Sequence, residues 1–111
     1  MWEQIQETLS SLDDALAKTR KRGLEMTRAE AAYYTVKDKR VRELMDEGLS
    51  ATAIGMVIKG EPEVSEALKH YHDMEVLYTN AKEAVNVYKL RLRVLENQYE
   101  REWSRAGMRD K

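Results

Sequence analysis

The sequence predicts an all-α fold, an antiparallel coiled-coil hairpin of two long helices joined by a short corner helix, and three observations carry that expectation. Between Glu61 and Ala106, every third or fourth residue reads Ala67, Tyr71, Met74, Tyr78, Ala81, Val85, Tyr88, Leu92, Leu95, Tyr99 and Glu102, and only the last is charged. Such an unbroken four-three spacing is the seam of a long amphipathic helix. A second seam opens the chain at Trp2, Ile5, Leu9, Leu12, Leu16 and Thr19. The third observation is composition: one proline, five glycines and no phenylalanine in 111 residues leave little room for the frequent turns of a β-sandwich. A chain of this length, 42% hydrophobic and 35% charged, is expected to form one helical domain over residues 1–111.

The first helix is predicted over residues 2–47. Its seam continues through Gly23, Met26, Glu30, Tyr33, Lys37 and Leu44, with poorer core residues after Thr19. Two courses are open at Gly23. The helix breaks there and restarts with Thr27 and Glu30 in capping-box spacing, or, the favoured course, it runs on continuous or kinked, since a lone glycine costs only ~1 kcal/mol and Ala29, Ala31 and Ala32 favour helix. Gly48 suits the left-handed position that ends a helix, with Leu49 placed for the apolar contact of a Schellman stop. Ser50 is an N-cap candidate for a short apolar helix at residues 50–59 carrying Ile54, Val57 and Ile58. Gly60 ends it, and Glu61-Pro62-Glu63 starts the long helix 61–106, with proline in the first turn and carboxylates at the positive end of the helix dipole.

Antiparallel pairing makes positions face each other when their numbers sum to about 106. Charge points the same way. Residues 18–42 hold nine basic and three acidic side chains, whereas residues 43–83 hold nine acidic and three basic. Exposed pairs are each worth only ~0–1 kcal/mol, so this favours a register more than it adds stability.

A two-helix hairpin has a thin core. On the back of the long helix Val87, Leu90 and Val94 form a second apolar patch, and the economical cover is self-association of hairpins into a four-helix bundle. The patch is the expected partner-binding surface, for a second copy as a homodimer or for a different protein.

Little in the sequence points to catalysis, and the expectation is a protein that is not an enzyme and takes no cofactor or metal. His70 and His72, the two histidines, stand two positions apart, so a helix points them about 200° from one another and they cannot share an ion. The carboxylates sit three or four residues from lysines and arginines, as Glu96 and Glu100 do with Arg93 and Arg101, which is the pattern of a solvated face. Four of the six tyrosines lie on the long seam, where core packing explains them. Gly48, Gly55 and Gly60 are too dispersed for a phosphate loop. Arg42 to Gly60 superficially resembles a helix-turn-helix, yet the second helix carries one lysine and the next begins Glu-Pro-Glu, a surface that phosphates repel.

Basic residues concentrate at Lys18 to Arg22, at Lys37 to Arg42, and in a C-terminal set of Lys89, Arg91, Arg93, Arg101, Arg105, Arg109 and Lys111. The first two answer the acidic segment. The third is less compensated, and Arg91, Arg93, Arg101 and Arg105 are the candidate nucleic-acid contacts. With net charge −1 there is no global attraction to nucleic acid or anionic membrane. No basic-then-apolar leader and no run of about 18 apolar residues occur, and cysteine is absent, so the expectation is a soluble chain in the cytoplasm.

The block Ala29-Glu30-Ala31-Ala32-Tyr33-Tyr34 through Arg42-Glu43-Leu44-Met45-Asp46-Glu47-Gly48, on to Val57-Ile58-Lys59-Gly60 and a helix ending Tyr88-Lys89-Leu90 and Glu102-Trp103, resembles small helical proteins encoded by phages and prophages of Gram-positive bacteria. The resemblance is one of pattern over most of residues 29–103. It implies a phage accessory protein in the host cytoplasm that binds a host defence or replication protein, or alternatively a nucleic-acid-binding accessory of phage recombination or replication. It implies no catalytic residue.

Overall fold

The computed structural model describes residues 1–109, and helix takes up nearly all of them. Helix α1 spans Trp2–Asp46, α2 spans Ala51–Val57 and leads into a single 3-10 turn at Ile58–Gly60, and α3 spans Pro62–Arg109. No strand occurs among the described residues, so the fold is all-α. Contacts gather into two compact units, residues 21–78 and residues 1–20 with α3 from Thr79 onward.

In the 21–78 unit, α1 passes through Gly23 without interruption. Thr27 does not cap a restart; its hydroxyl donates to the Gly23 carbonyl at 3.0 Å, turning back into its own helix. Packing is tight here: a Cβ at Gly23 would lie 3.3 Å from Cε1 of Tyr78, so a larger residue would push the ring aside by a few tenths of an ångström. The helix ends at Asp46, one residue short of the expected Glu47, in a Schellman stop. Gly48 N–H donates to the Met45 carbonyl at 3.0 Å and Leu49 N–H to the Leu44 carbonyl at 3.1 Å, with Gly48 at φ +95°. Ser50 then caps α2, its Oγ accepting from Ala53 N–H at 3.2 Å. The predicted helix 50–59 is thus a seven-residue α2 followed by the tighter turn, which closes when Glu61 N–H donates to the Ile58 carbonyl. Ser65 N–H donates to the Glu61 carbonyl at 2.8 Å, which places Pro62 in the first turn of α3, where its missing N–H costs nothing. At its other end α3 runs three residues past Ala106, since no proline or capping motif follows to stop it.

This turn chemistry brings Tyr33, Leu44, Ile54, Ile58 and Val64 into one buried cluster, flanked by Val36, Val41, Leu49, Ala67, Leu68 and Tyr71. Partner numbers on α3 rise as those on α1 fall. Arg40 Nε meets Glu61 Oε2 at 3.4 Å, the Tyr33 and Tyr71 rings lie 6.3 Å apart, and Gly23 faces Tyr78. These pairs sum to 101–104, a little below the expected 106. Arg40 also reaches Glu43 at 3.0 Å and Glu47 at 3.7 Å, and the Glu43 hydrogen bond, helped by Glu61, raises its pKa further above the ordinary guanidinium range.

Gly48 and Gly55 separate backbone strain from crowding, because a Cβ at either would meet nothing within 4 Å. Gly48→Val is expected to cost ~1–2 kcal/mol for forcing a side chain into left-handed backbone. Gly55→Ala, on ordinary helical backbone inside α2, is expected to gain ~0.5–1 kcal/mol. Urea denaturation of the two variants checks both signs, and equal effects would refute the assignment.

In the other unit α1 contributes Ile5, Thr8 and Ala15 as buried positions, and α3 contributes Ala81 and Val85. The Thr8 hydroxyl donates to the Gln4 carbonyl at 2.8 Å, so it enters the core without an unmet hydrogen bond. Here the expected seam needs correction. Leu9 is 42% exposed, and Trp2, though 56% exposed, meets the α3 seam through the Tyr99 ring. The buried heptad lines of α1 are Ile5, Leu12, Thr19, Met26 and Tyr33 together with Thr8, Ala15, Arg22, Ala29 and Val36, all buried or half-buried. The line Thr8, Ala15, Arg22, Ala29 and Val36 thus joins the expected one, of which Leu16, Gly23, Glu30 and Lys37 are half-buried and only Trp2 and Leu9 exposed. Small side chains such as Thr8, Ala15 and Ala29 let helices approach closely, and larger neighbours then fall to the flank.

Candidate interaction surface

The α3 seam faces inward from Ala67 to Leu95, every member buried or half-buried. That orientation fixes what lies on the helix's other side. Val87, Leu90 and Val94 are 50%, 59% and 56% exposed, so the structure leaves the predicted patch uncovered. Three large apolar side chains one helical turn apart form a connected strip, unlike a scatter of single exposed hydrophobes. The same four-three spacing extends it at both ends, to Glu83 on one side and to Asn97 and Arg101 on the other, all exposed.

The four candidate arginines do not form one surface. Arg91 and Arg93 are two residues apart on a helix and so project about 200° from each other. The Arg91 guanidinium sits over the Tyr88 ring, 5.6 Å from its centroid, which draws that charge toward the seam side. Arg101 and Arg105 continue the line of Val94 and border a shallow depression with Asn97, Glu100 and Ser104. Among the described residues, no carboxylate lies within ion-pair distance of Arg91, Arg93, Arg101 or Arg105. Two further basic residues of this set, Arg109 by its side chain and Lys111 entirely, lie outside the described residues.

The two seams also meet in an aromatic contact, which Trp103 extends. Trp2 and Tyr99 pack with ring centroids 6.0 Å apart, and Tyr99 stacks on Trp103 at 6.4 Å with planes 13° apart. Trp103 is nevertheless 72% exposed, because the seam line of α3 continues beyond Trp2, where α1 begins. The four-residue spacing of Tyr99 and Trp103 was the available signal. A base-stacking platform would need this ledge flanked by cations, but Trp103 lies about 200° around the helix from Arg101 and Arg105.

The titratable groups give no reactive constellation. His70 is exposed, and His72 is engaged locally, its Nδ1 2.8 Å from Glu75 Oε1 and its ring stacked on Tyr71. Burial, together with the nearby Glu30 carboxylate, pushes the Tyr71 phenol above its usual value and keeps it neutral at physiological pH. Among the described residues no three His, Cys, Asp or Glu side chains converge on a metal position, and no helix is long and apolar enough to cross a membrane. In comparisons with protein-family models, curated proteins and solved structures, nothing matches this chain.

Proposed function

We propose that this chain is a non-enzymatic protein-interaction module that presents the outer line of α3 to a partner. The observation that carries the reading is the strip of Val87, Leu90 and Val94, each half or more exposed on a helix whose opposite side is packed. Strips of this kind are read by a facing helix through anchors spaced by threes and fours. In the 21–78 unit the partner numbers on α3 fall as those on α1 rise, which supports an antiparallel coiled-coil hairpin as the scaffold. The pattern resemblance to phage-encoded helical proteins favours a phage accessory that engages a host defence or replication protein in the cytoplasm. Nucleic-acid binding through Arg91, Arg93, Arg101 and Arg105 is the weaker reading, because Arg91 and Arg93 project about 200° from each other and the four share no single face. A photo-crosslinking residue at position 90, introduced in the cell that encodes the chain, is expected to yield a protein adduct that the same residue at exposed position 52 does not. Equal adducts at both positions, or none at 90, would overturn the proposal.

A further inference from the structure

The exposed line on α3 is self-complementary when inverted. It reads Glu83, Val87, Leu90, Val94, Asn97 and Arg101, with successive steps of four, three, four, three and four residues. That spacing is the same in either direction, but its ends carry opposite charges. We infer that the occupant of this surface is a second copy of the chain, with two α3 helices packed antiparallel about a two-fold axis near residue 92. The inference rests on the interaction-surface reading above and names its partner.

In this register Leu90 meets Val94 of the second copy and Val94 meets its Leu90, forming two apolar layers at the axis. Val87 meets Asn97 of the second copy, and Glu83 meets its Arg101 at both ends. Such alternation is how heptad positions interleave in antiparallel helix pairs. A parallel pair would instead set Glu83 beside Glu83 and Arg101 beside Arg101, which like-charge repulsion disfavours. Sliding the antiparallel pair by one heptad keeps two apolar layers, Val87 against Leu90, but sets Val94 against Glu83 and parts Glu83 from Arg101, so the end charges select the register. Glu83 and Arg101 have no ion-pair partner among the described residues, so both are available. Arg91 does not obstruct the contact, because its head is held over Tyr88. Arg93 is the opposing element: its copies approach near the axis, their stems flanking the apolar layers and their heads turned to water. Three apolar side chains per copy make a small interface, which places the dimer in the micromolar range.

Sedimentation equilibrium of the full chain tests this, with circular dichroism to confirm that each variant keeps its helix content. The wild-type chain is expected to dimerise reversibly. Glu83→Arg and Arg101→Glu are each expected to weaken the dimer ~10-fold or more, and the double exchange to restore it to within ~3-fold of wild type. Val87→Asp/Leu90→Asp is expected to be monomeric. A wild-type chain that stays monomeric at ~100 µM overturns self-pairing, and a position-90 crosslink to a different protein would then leave the interaction-surface reading standing. A dimer that survives Val87→Asp/Leu90→Asp overturns this surface as its contact. A double exchange no tighter than the single variants overturns the antiparallel register while keeping the surface.

Discussion

Val64→Asp is expected to destabilise the 21–78 unit by ~4 kcal/mol or more, enough to unfold a marginal helical unit at room temperature. Val64, in the first turn of α3, has no solvent exposure, alone among the described residues, and lies in the cluster with Tyr33, Leu44, Ile54 and Ile58. The substitution removes the apolar contacts and places a carboxylate inside an apolar cluster. Arg40, which meets the start of α3 at Glu61, is already engaged by Glu43, Glu47 and Glu61. The comparison variant is Ser65→Asp, which adds the same charge one position on, exposed and in the first turn of α3, where the helix dipole tolerates or favours it. Thermal unfolding by circular dichroism should therefore separate two neighbouring aspartates widely. Similar melting of the pair would refute the burial of Val64.

Leu44→Ala is the second large effect, at ~2–5 kcal/mol. The residue is 4% exposed and joins three pieces of the corner: the last turn of α1, the Leu49 side chain beyond the stop, and the apolar face of α2. Its carbonyl still accepts from Leu49 N–H after truncation, so the loss is one of packing, not of the turn. The void cannot readily collapse, because α2 is held by the Gly48 stop and the Ser50 cap on one side and by the Pro62 start of α3 on the other. Met45→Ala, adjacent in sequence and 60% exposed, is expected to change stability by less than ~0.5 kcal/mol. The difference between their urea midpoints is the measurement, and a Leu44→Ala loss no larger than that of Met45→Ala would contradict the corner core.

The corner was legible in the sequence because its signals are local. Gly48, Ser50 and Pro62 each act on backbone groups within a few residues, and each does in the structure what its chemistry requires. The α3 seam was legible for a different reason: its tyrosines and leucines are large and fall on one line. The α1 seam was only half legible. Ile5, Leu12, Thr19, Met26 and Tyr33 stood out, but the line beside them was assigned to Leu9 and Leu16 on hydrophobicity. The structure buries Thr8 and Ala15 more deeply, with Leu16 half-buried and Leu9 exposed on the flank, because small side chains let two helices approach closely. The functional surface shows the same division. Val87, Leu90 and Val94 were visible as a periodic patch, whereas the Trp2–Tyr99–Trp103 ledge depends on where α1 begins opposite α3, a tertiary fact that no single helix carries.

The small residues at the contact in the unit formed by residues 1–20 and α3 from Thr79 bear on more than packing. Its buried positions, Ile5, Thr8, Ala15, Ala81 and Val85, are smaller on the whole than the Tyr33, Leu44, Ile54, Ile58 and Val64 cluster, so this helix pair is expected to open at a lower free energy. The outer line of α3 lies on that stretch. Whatever docks there selects a closed helix pair from an equilibrium that includes opened ones, and adds its binding free energy to their closure. Recognition and folding at this end of α3 are then a single thermodynamic event, and the thin contact sets how strongly each depends on the other.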